Sequence, residues 1–569
     1  MSRQLKEMNV SEKTKEEIEY EERLRRRLKV LQEQMKQGKV KITEGLKVVD
    51  SLNAVRVGPD GEVDLDTVDG LVRSMALGVT AMHDREELKK LASLSEIQTS
   101  YFNFFEQNFG HFYELMLKRK LTPHDAGRAA MQSEGSIREI TEHLDKLLEF
   151  IEEFWSELGD IAHAHVEDQH NNIKGVFGGD LFPAHDENIA SKCGIYTDTI
   201  ILPDPFLRSK HIFQNSKPAD QAYYIIKHAM NILQYKQLAC AEVDIPIVVV
   251  LPDITAIENE EREFVHELGL ADSLKHSGKL FGRKFESIEE LLEFAHELDT
   301  IERAIAAIDD KSRLLFDTEW QGDPASQLER AINSPQYELI GTKNPGIILA
   351  NQAVGRMSVS NELLIKSRRL RGSPLVDAPT SWQYLAWKME YDAHDAEIAT
   401  HTKDLHITRG LQGLSDGDMQ WLGRVPPDAL IEVRKQGALD EIRGILGKGV
   451  QELTSSNPNN FHRTRDQIFD NINEAFENHK ANIKDLRAKK WKFAGSDIGS
   501  WLVTGTLGIT AAATGAPIWA LAAIGADQIL GAPKLKELPS SIKELVEENK
   551  KVNMSPVGML FNVKKRLNK

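Results

Sequence analysis

Asp204 and Asp253 each follow a Leu-Pro pair at the end of a short apolar run, Ile195 to Leu202 and Ile245 to Leu251. If those runs are parallel strands, both carboxylates fall at the carboxyl edge of one sheet, where open α/β sheets hold their ligands. There they could bind a metal ion or orient a polar substrate. The plainer role for Pro-Asp is to stop a strand and cap the next turn. A second group is His163, His165 and His170 in IAHAHVEDQH, with Glu167 and Asp168 between them and His185-Asp186 soon after. Imidazole together with carboxylate suits Zn, Mn or Fe. On a helix His163 and Glu167 share a face, whereas on a strand His163 and His165 do. The spacing matches neither HExxH nor a structural zinc pattern. Asp204, Asp253 and His185 are therefore the candidate catalytic residues of a metal-dependent hydrolase, with His163, His165, His170 and Asp186 as its candidate metal ligands. No cofactor type follows from them. His-Asp dipeptides recur at His83, His124, His185 and His394, the pairing that helical phosphohydrolases use for adjacent ligands, although His124-Asp125 after Thr122-Pro123 reads as a helix start.

Several chemistries lack their signatures. There is no GxxxxGK[ST] loop, no GxGxxG after a strand, no GxSxG elbow and no CxxC pair. The two cysteines, Cys193 and Cys240, are too few for a disulfide framework and fit a reducing cytoplasm. The first residues contain no apolar signal region. With 87 Asp+Glu against 71 Lys+Arg the formal charge is −16, which argues against a nucleic-acid-coating role.

The elements that must position these residues alternate in pattern. Residues 1–45 read as a charged helical arm, opened by a capping box at Thr14 and Glu17 and carrying a narrow seam of Leu24, Leu28, Leu31 and Met35. After a turn at Gly58 to Asp64, residues 46–160 read as a helical domain. Its aromatic stretch Tyr101 to Leu117 suits core packing, and its clearest helix runs from Ser136 to Leu158 with Gly159 as the stop. Residues 161–330 read as a small α/β domain, because run, helix (from Ser216-Pro218) and run make a parallel βαβ unit. A second helical domain spans 331–495, with helices over Asp428 to Leu446 and Phe469 to Trp491. The expected fold class is mainly α, with a small central parallel α/β domain and a C-terminal Gly/Ala-rich helical hairpin at 496–533, then a basic tail over 534–569.

That hairpin is the least ordinary stretch. From Ile498 to Ala526 there are 29 consecutive residues without a charge, divided by Gly515 and Pro517. The whole exceeds the roughly 20 residues of a bilayer-spanning helix, but neither arm does. Trp501, Leu502, Leu507, Ile509, Ile518, Trp519 and Leu521 would meet lipid, and Lys489, Lys490 and Lys492 would meet anionic headgroups. The rival expectation is a tight helix pair buried in the body or in an oligomer interface. Together these features lead to the expectation of a non-enzymatic bacterial cytoplasmic effector, of the cell-defence kind. Its hairpin would engage the inner face of the plasma membrane, a protein partner or a second copy of the chain. A metal-dependent hydrolase and a scaffold subunit are the alternatives.

Overall fold

The computed structural model describes residues 14–42, 47–59, 61–180, 182–183, 188–253, 259–318, 320, 322–333, 341–392, 402–456, 460–488, 492–493, 496–497, 551–552 and 554–567. The chain divides into two compact units, Met1–Leu94 and Ser95–Lys569.

In the first unit the charged arm is a helix, Lys15–Lys36. Its capping box forms as expected: Thr14 Oγ1 accepts from the Glu17 N–H, and Glu17 Oε2 accepts from the Thr14 N–H at 2.8 Å. Leu24, Leu28 and Leu31 are buried, with Met35 beside them, against Val68, Val72 and Ala76 at and within the helix Gly70–Lys89. The Gly58 turn closes through Gly61 in the left-handed region, which glycine adopts without penalty.

The second unit holds one four-stranded parallel sheet among helices. β1 (Lys174–Phe177), β2 (Thr199–Pro203), β3 (Val248–Leu251) and β4 (Ser373–Leu375) lie in the order β3-β2-β1-β4. Every strand residue is buried, the pattern of a sheet covered on both faces. In register, Pro203 pairs with Leu251, so the two Leu-Pro-Asp endings leave the sheet side by side. The edge of β3 is covered by Gln98, whose amide exchanges two hydrogen bonds with the Val250 backbone (2.8 and 3.0 Å). The fold is thus mainly helical with a small central parallel α/β portion, as the sequence pattern predicts.

Some boundaries differ. The expected helix over Ser136 to Leu158 runs from Glu134 to Glu167. Ser133 is its N-cap, and Gly159, expected to end it, is a buried interior residue whose backbone stays helical because no left-handed turn follows. The expected helix over Asp428 to Leu446 is two helices, Pro427–Lys435 and Leu439–Leu446, separated where Gly437 takes a left-handed conformation. β4, which falls within the span 331–495 expected to be helical, joins the sheet beside β1 from well beyond the βαβ portion. Tyr101, Phe102 and Phe105 are buried in the core of the second unit.

Candidate functional site

Asp204 caps the helix Pro205–Asn215 that follows β2. Its Oδ1 accepts from the backbone N–H groups of Phe206 (2.7 Å) and Leu207 (3.1 Å). Its Oδ2 accepts from Trp155 Nε1 (2.6 Å) and from the Tyr101 hydroxyl (2.9 Å). The residue is 1% exposed, so these four donors surround it entirely. Burial pushes the carboxyl above its ordinary range, against the donors, which pull it down. Both oxygens are spent on holding the strand end, the helix and two aromatic side chains together. The plainer Pro-Asp role describes Asp204.

Asp253, at the matching position after β3, has a different neighbourhood. Lys366 Nζ lies 2.5 Å from its Oδ1, and Arg208 Nε lies 3.4 Å from its Oδ2. Arg208 projects from the Pro205–Asn215 helix and Lys366 from the helix Pro345–Leu370. Arg208 also donates to the Asp180 carbonyl (3.1 Å) and to Glu362 Oε1 (3.2 Å). Burial pushes the Asp253 carboxyl up, but Lys366 and Arg208 outweigh it and hold the group below the ordinary carboxylate range. Two cations and two carboxylates thus form a compact network at the carboxyl edge. It lies at the base of a cleft of about 570 Å³ lined by the Pro205–Asn215, Asn259–Phe281 and Pro345–Leu370 helices.

Gly178 and Gly179 follow β1, where the strand order reverses. They permit close protein packing. A Cβ on Gly178 would come within 2.6 Å of Leu363, and Gly179, at a left-handed φ of +84°, has its carbonyl bonded by Ser381 Oγ (3.0 Å). The space that a phosphate cradle would leave open is occupied by these side chains.

The histidines are spread apart. His163 is buried on the Glu134–Glu167 helix, and its Nδ1 donates to the Gly159 carbonyl (2.9 Å). Burial and the nearby Lys366 and Arg369 hold its pKa below the ordinary value, so it is neutral. Its Nε2 is buried without a hydrogen-bond partner among the described residues. His165 is two positions on along the same helix, hence on another face, and His170 lies past the helix end against Arg371 (2.8 Å). Among the described residues no three His, Cys, Asp or Glu side chains are grouped to hold a metal ion. His185 and Asp186 lie outside the described residues, as do His394 and Asp395. Of the other His-Asp pairs, His124 meets Tyr223 (2.6 Å) while Asp125 completes the Thr122 capping box. Cys193 is fully buried and its thiol is pushed up to about 12 by burial, which removes it as a nucleophile at neutral pH.

Arg208, Glu362 and Lys366 escaped the sequence pattern. Lys366, Arg368, Arg369 and Arg371 read as a solvated basic face, and Arg369 and Arg371 do lie outward. Lys366, however, shares the stripe of Leu363 and Leu370, both buried. Its position on that stripe is the signal that it turns inward.

At the other end of the chain, the uncharged segment 498–526 with Trp501, Leu502, Leu507, Ile509, Ile518, Trp519 and Leu521 lies outside the described residues, as do Lys489 and Lys490. Lys492 begins a two-residue antiparallel pairing with Ser496-Asp497. The flanks are described. The helix Phe461–Ala488 leads into the segment, and the helix Pro556–Leu567 follows it. These two helices pack together: the Phe561 ring lies 5.5 Å from Phe476 and 5.0 Å from His479, and Lys564 Nζ lies 4.8 Å over the Phe476 ring. Among the described residues no helix is long and apolar enough to cross a membrane.

Comparison of the chain with protein-family models, with curated proteins and with solved structures finds no match in any of the three.

Proposed function

We propose that this chain is a non-enzymatic effector whose uncharged segment 498–526 engages the anionic face of a membrane as a re-entrant hairpin. The observation that carries this reading is the pairing of the two flanking helices. The chain departs beyond Ala488 and is back on the same helix by Phe561. The return point, near Phe476 and His479, is only about 15 Å along that helix from Ala488. A segment tethered at both ends to one helix must enter and leave a bilayer from the same side. Its division at Gly515 and Pro517 and the lysines at 489, 490 and 492 agree with that geometry. Ala, Gly and Thr supply little transfer free energy, so the interaction would depend on the basic flank as well as on the apolar arms.

The test is liposome flotation of the full chain against a deletion of 496–533, on neutral and on anionic vesicles. Full-length protein should float, more on anionic lipid, and the deletion should remain in the dense fraction. Reversing Lys489, Lys490 and Lys492 to Glu should abolish the anionic preference, since each lysine near such a surface contributes about 1 kcal/mol. If full-length protein and deletion behave alike, the segment is core or interface and the reading fails.

A further inference from the structure

We propose that the first unit joins two copies of this chain through the outer face of the helix Gly70–Lys89, packed antiparallel on a two-fold axis at Gly78. The unit has little inner surface. Its helices Lys15–Lys36 and Gly70–Lys89 meet along one stripe, Leu24, Leu28 and Leu31 against Val72 and Ala76. A layer of this kind buries one side of each helix. More than half of the large apolar side chains exposed among the described residues lie in this unit, although it has 94 of the chain's 569 residues. Apolar surface concentrated in this way marks an interaction site.

Helical spacing defines the face. Leu71, Ser74, Gly78, Ala81 and Arg85 recur at steps of three and four, on the side opposite the buried Val72, Ala76 and Thr80. The outward side of a surface helix ordinarily carries charge, yet the run from Ser74 to Met82 has none. Leu71 and Leu77 are each 49% exposed and Met82 is 71% exposed, flanking the small residues Ser74, Gly78 and Ala81, which are exposed too. A Cβ on Gly78 would meet nothing within 4 Å, so the space over it is open. Small residues along a seam let two helix backbones approach closely while larger neighbours fill the sides.

Fit and charge select a second copy as the occupant. Antiparallel pairing about Gly78 sets positions equally far before and after it opposite each other. Ser74 then faces Met82 of the second copy, and Met75 faces its Ala81, a large side chain against a small one in both cases. The two-fold axis makes each of these contacts twice. Asp64, Asp66 and Asp69 stand at the start of the helix, whereas Arg85 and Lys89 lie on the side of the apolar face at its end. Asp84 turns away to Arg26 (2.7 Å). Antiparallel pairing brings the acidic start of each helix to the basic end of the other and opposes the two helix dipoles; parallel pairing would stack like on like. Lys89 also meets Glu86 of its own helix (2.7 Å), an exposed pair of little strength.

The experiment is sedimentation equilibrium of the full chain without lipid, which keeps the result independent of the membrane reading. The parent should be dimeric at micromolar concentration. Gly78→Gln puts a long polar side chain into the seam; it enters open space, and glutamine is a better helix former than glycine, so the helix itself is unharmed. This variant should dimerise at least about tenfold more weakly. Deleting 496–533 should leave the dimer as it is. Disulfide trapping reads the direction of the pairing: Ser74→Cys and Met82→Cys together should give covalent dimers on mild oxidation, and either change alone should give no more than the parent. Within one helix the two positions are about two turns apart, too far to bridge. A parent that is monomeric at tens of micromolar overturns the proposal, and so does a Gly78→Gln variant that dimerises like the parent. Loss of the dimer on deleting 496–533 assigns the interface to that segment and overturns it as well. Covalent dimers from either single change overturn the antiparallel arrangement.

Discussion

Asp204 and Asp253 stand at the same place in the same tripeptide on adjacent strands, yet one is sealed and the other faces charge. The strand register makes them equivalent, with Pro203 opposite Leu251. What separates them comes from far along the chain. Tyr101 and Trp155, from two aromatic-rich helices, close over Asp204, whereas Arg208 and Lys366 reach Asp253. Position in a strand ending determines where a carboxylate is; the donors that meet it determine whether it is structure or site. A neutral N–H or O–H that satisfies every oxygen makes a cap. A pair of cations that leaves one oxygen without a hydrogen bond makes a polar floor.

The comparison breaks most visibly at Asp204. Asp204→Ala strands two backbone N–H groups, the Trp155 indole and the Tyr101 hydroxyl in a site without water access, and should cost about 3–5 kcal/mol. Urea unfolding followed by tryptophan fluorescence measures it. A loss under about 1 kcal/mol would mean that these bonds do not hold the helix to the strand. Asp253→Ala should cost less, roughly 2–3 kcal/mol. It leaves Arg208 and Lys366 without their shared anion, but Arg208 keeps Glu362 and the cleft admits water. Adding Lys366→Met to Asp253→Ala should recover part of that loss, because the second change removes the orphaned charge.

The two residues should also respond to acid with opposite signs. Asp204 lies above its ordinary range when folded, so the native state gains protons, and stability, as pH falls toward the unfolded value of about 3.9. Asp204→Asn lacks that gain, and its deficit relative to the parent should widen between neutral pH and about 4. Asp253 lies below its ordinary range, so its contribution is complete above the unfolded value and drains only as pH falls through the folded one. The Asp253→Asn deficit should be flat down to about pH 5 and narrow below about 4, with a slope of at most about 1.4 kcal/mol per unit for each group. Urea midpoints across pH for the three proteins check both. Buried His228, held near 3, and His276, held near 4, both by burial, add an acid-labile background common to all three, so it cancels in the differences.

Much of the architecture was legible because it depends on local pattern. The apolar runs before both Leu-Pro-Asp endings, the Thr14 box and the Leu24 to Met35 seam all announce themselves within a few residues. β1 and β4 were not legible. Lys174–Phe177 and Ser373–Leu375 are too short to show a period, and they become strands by parallel pairing at a distance, β1 with β2 and β4 with β1 across nearly two hundred residues. The site was half legible for the same reason. Asp253 could be placed at an edge by its tripeptide, but Arg208, Glu362 and Lys366 arrive from two helices, and Lys366 is disguised among outward-facing basic neighbours. The end of the Glu134–Glu167 helix shows the limit of a local signal: Gly159 reads as a stop, and only packing lets the helix continue through it.

The smallest expected effect is the most discriminating. Floor and rim of the cleft should separate cleanly, because Arg262 and His266 are exposed on the outer turns of the Asn259–Phe281 helix while Val265 between them is buried. Removing two exposed side chains that fill no core should change folding stability by no more than about 0.5 kcal/mol each. The Arg262→Ala, His266→Ala variant should therefore unfold at the parent's urea midpoint. If instead it loses stability on the scale of Asp253→Ala, rim and floor form one structural network, and Arg262 and His266 serve to pin the Asn259–Phe281 helix in place. The Asp253 end would then be a second form of strand cap, built from ions where Asp204 uses indole and phenol, and the contrast between the two endings would be one of materials alone.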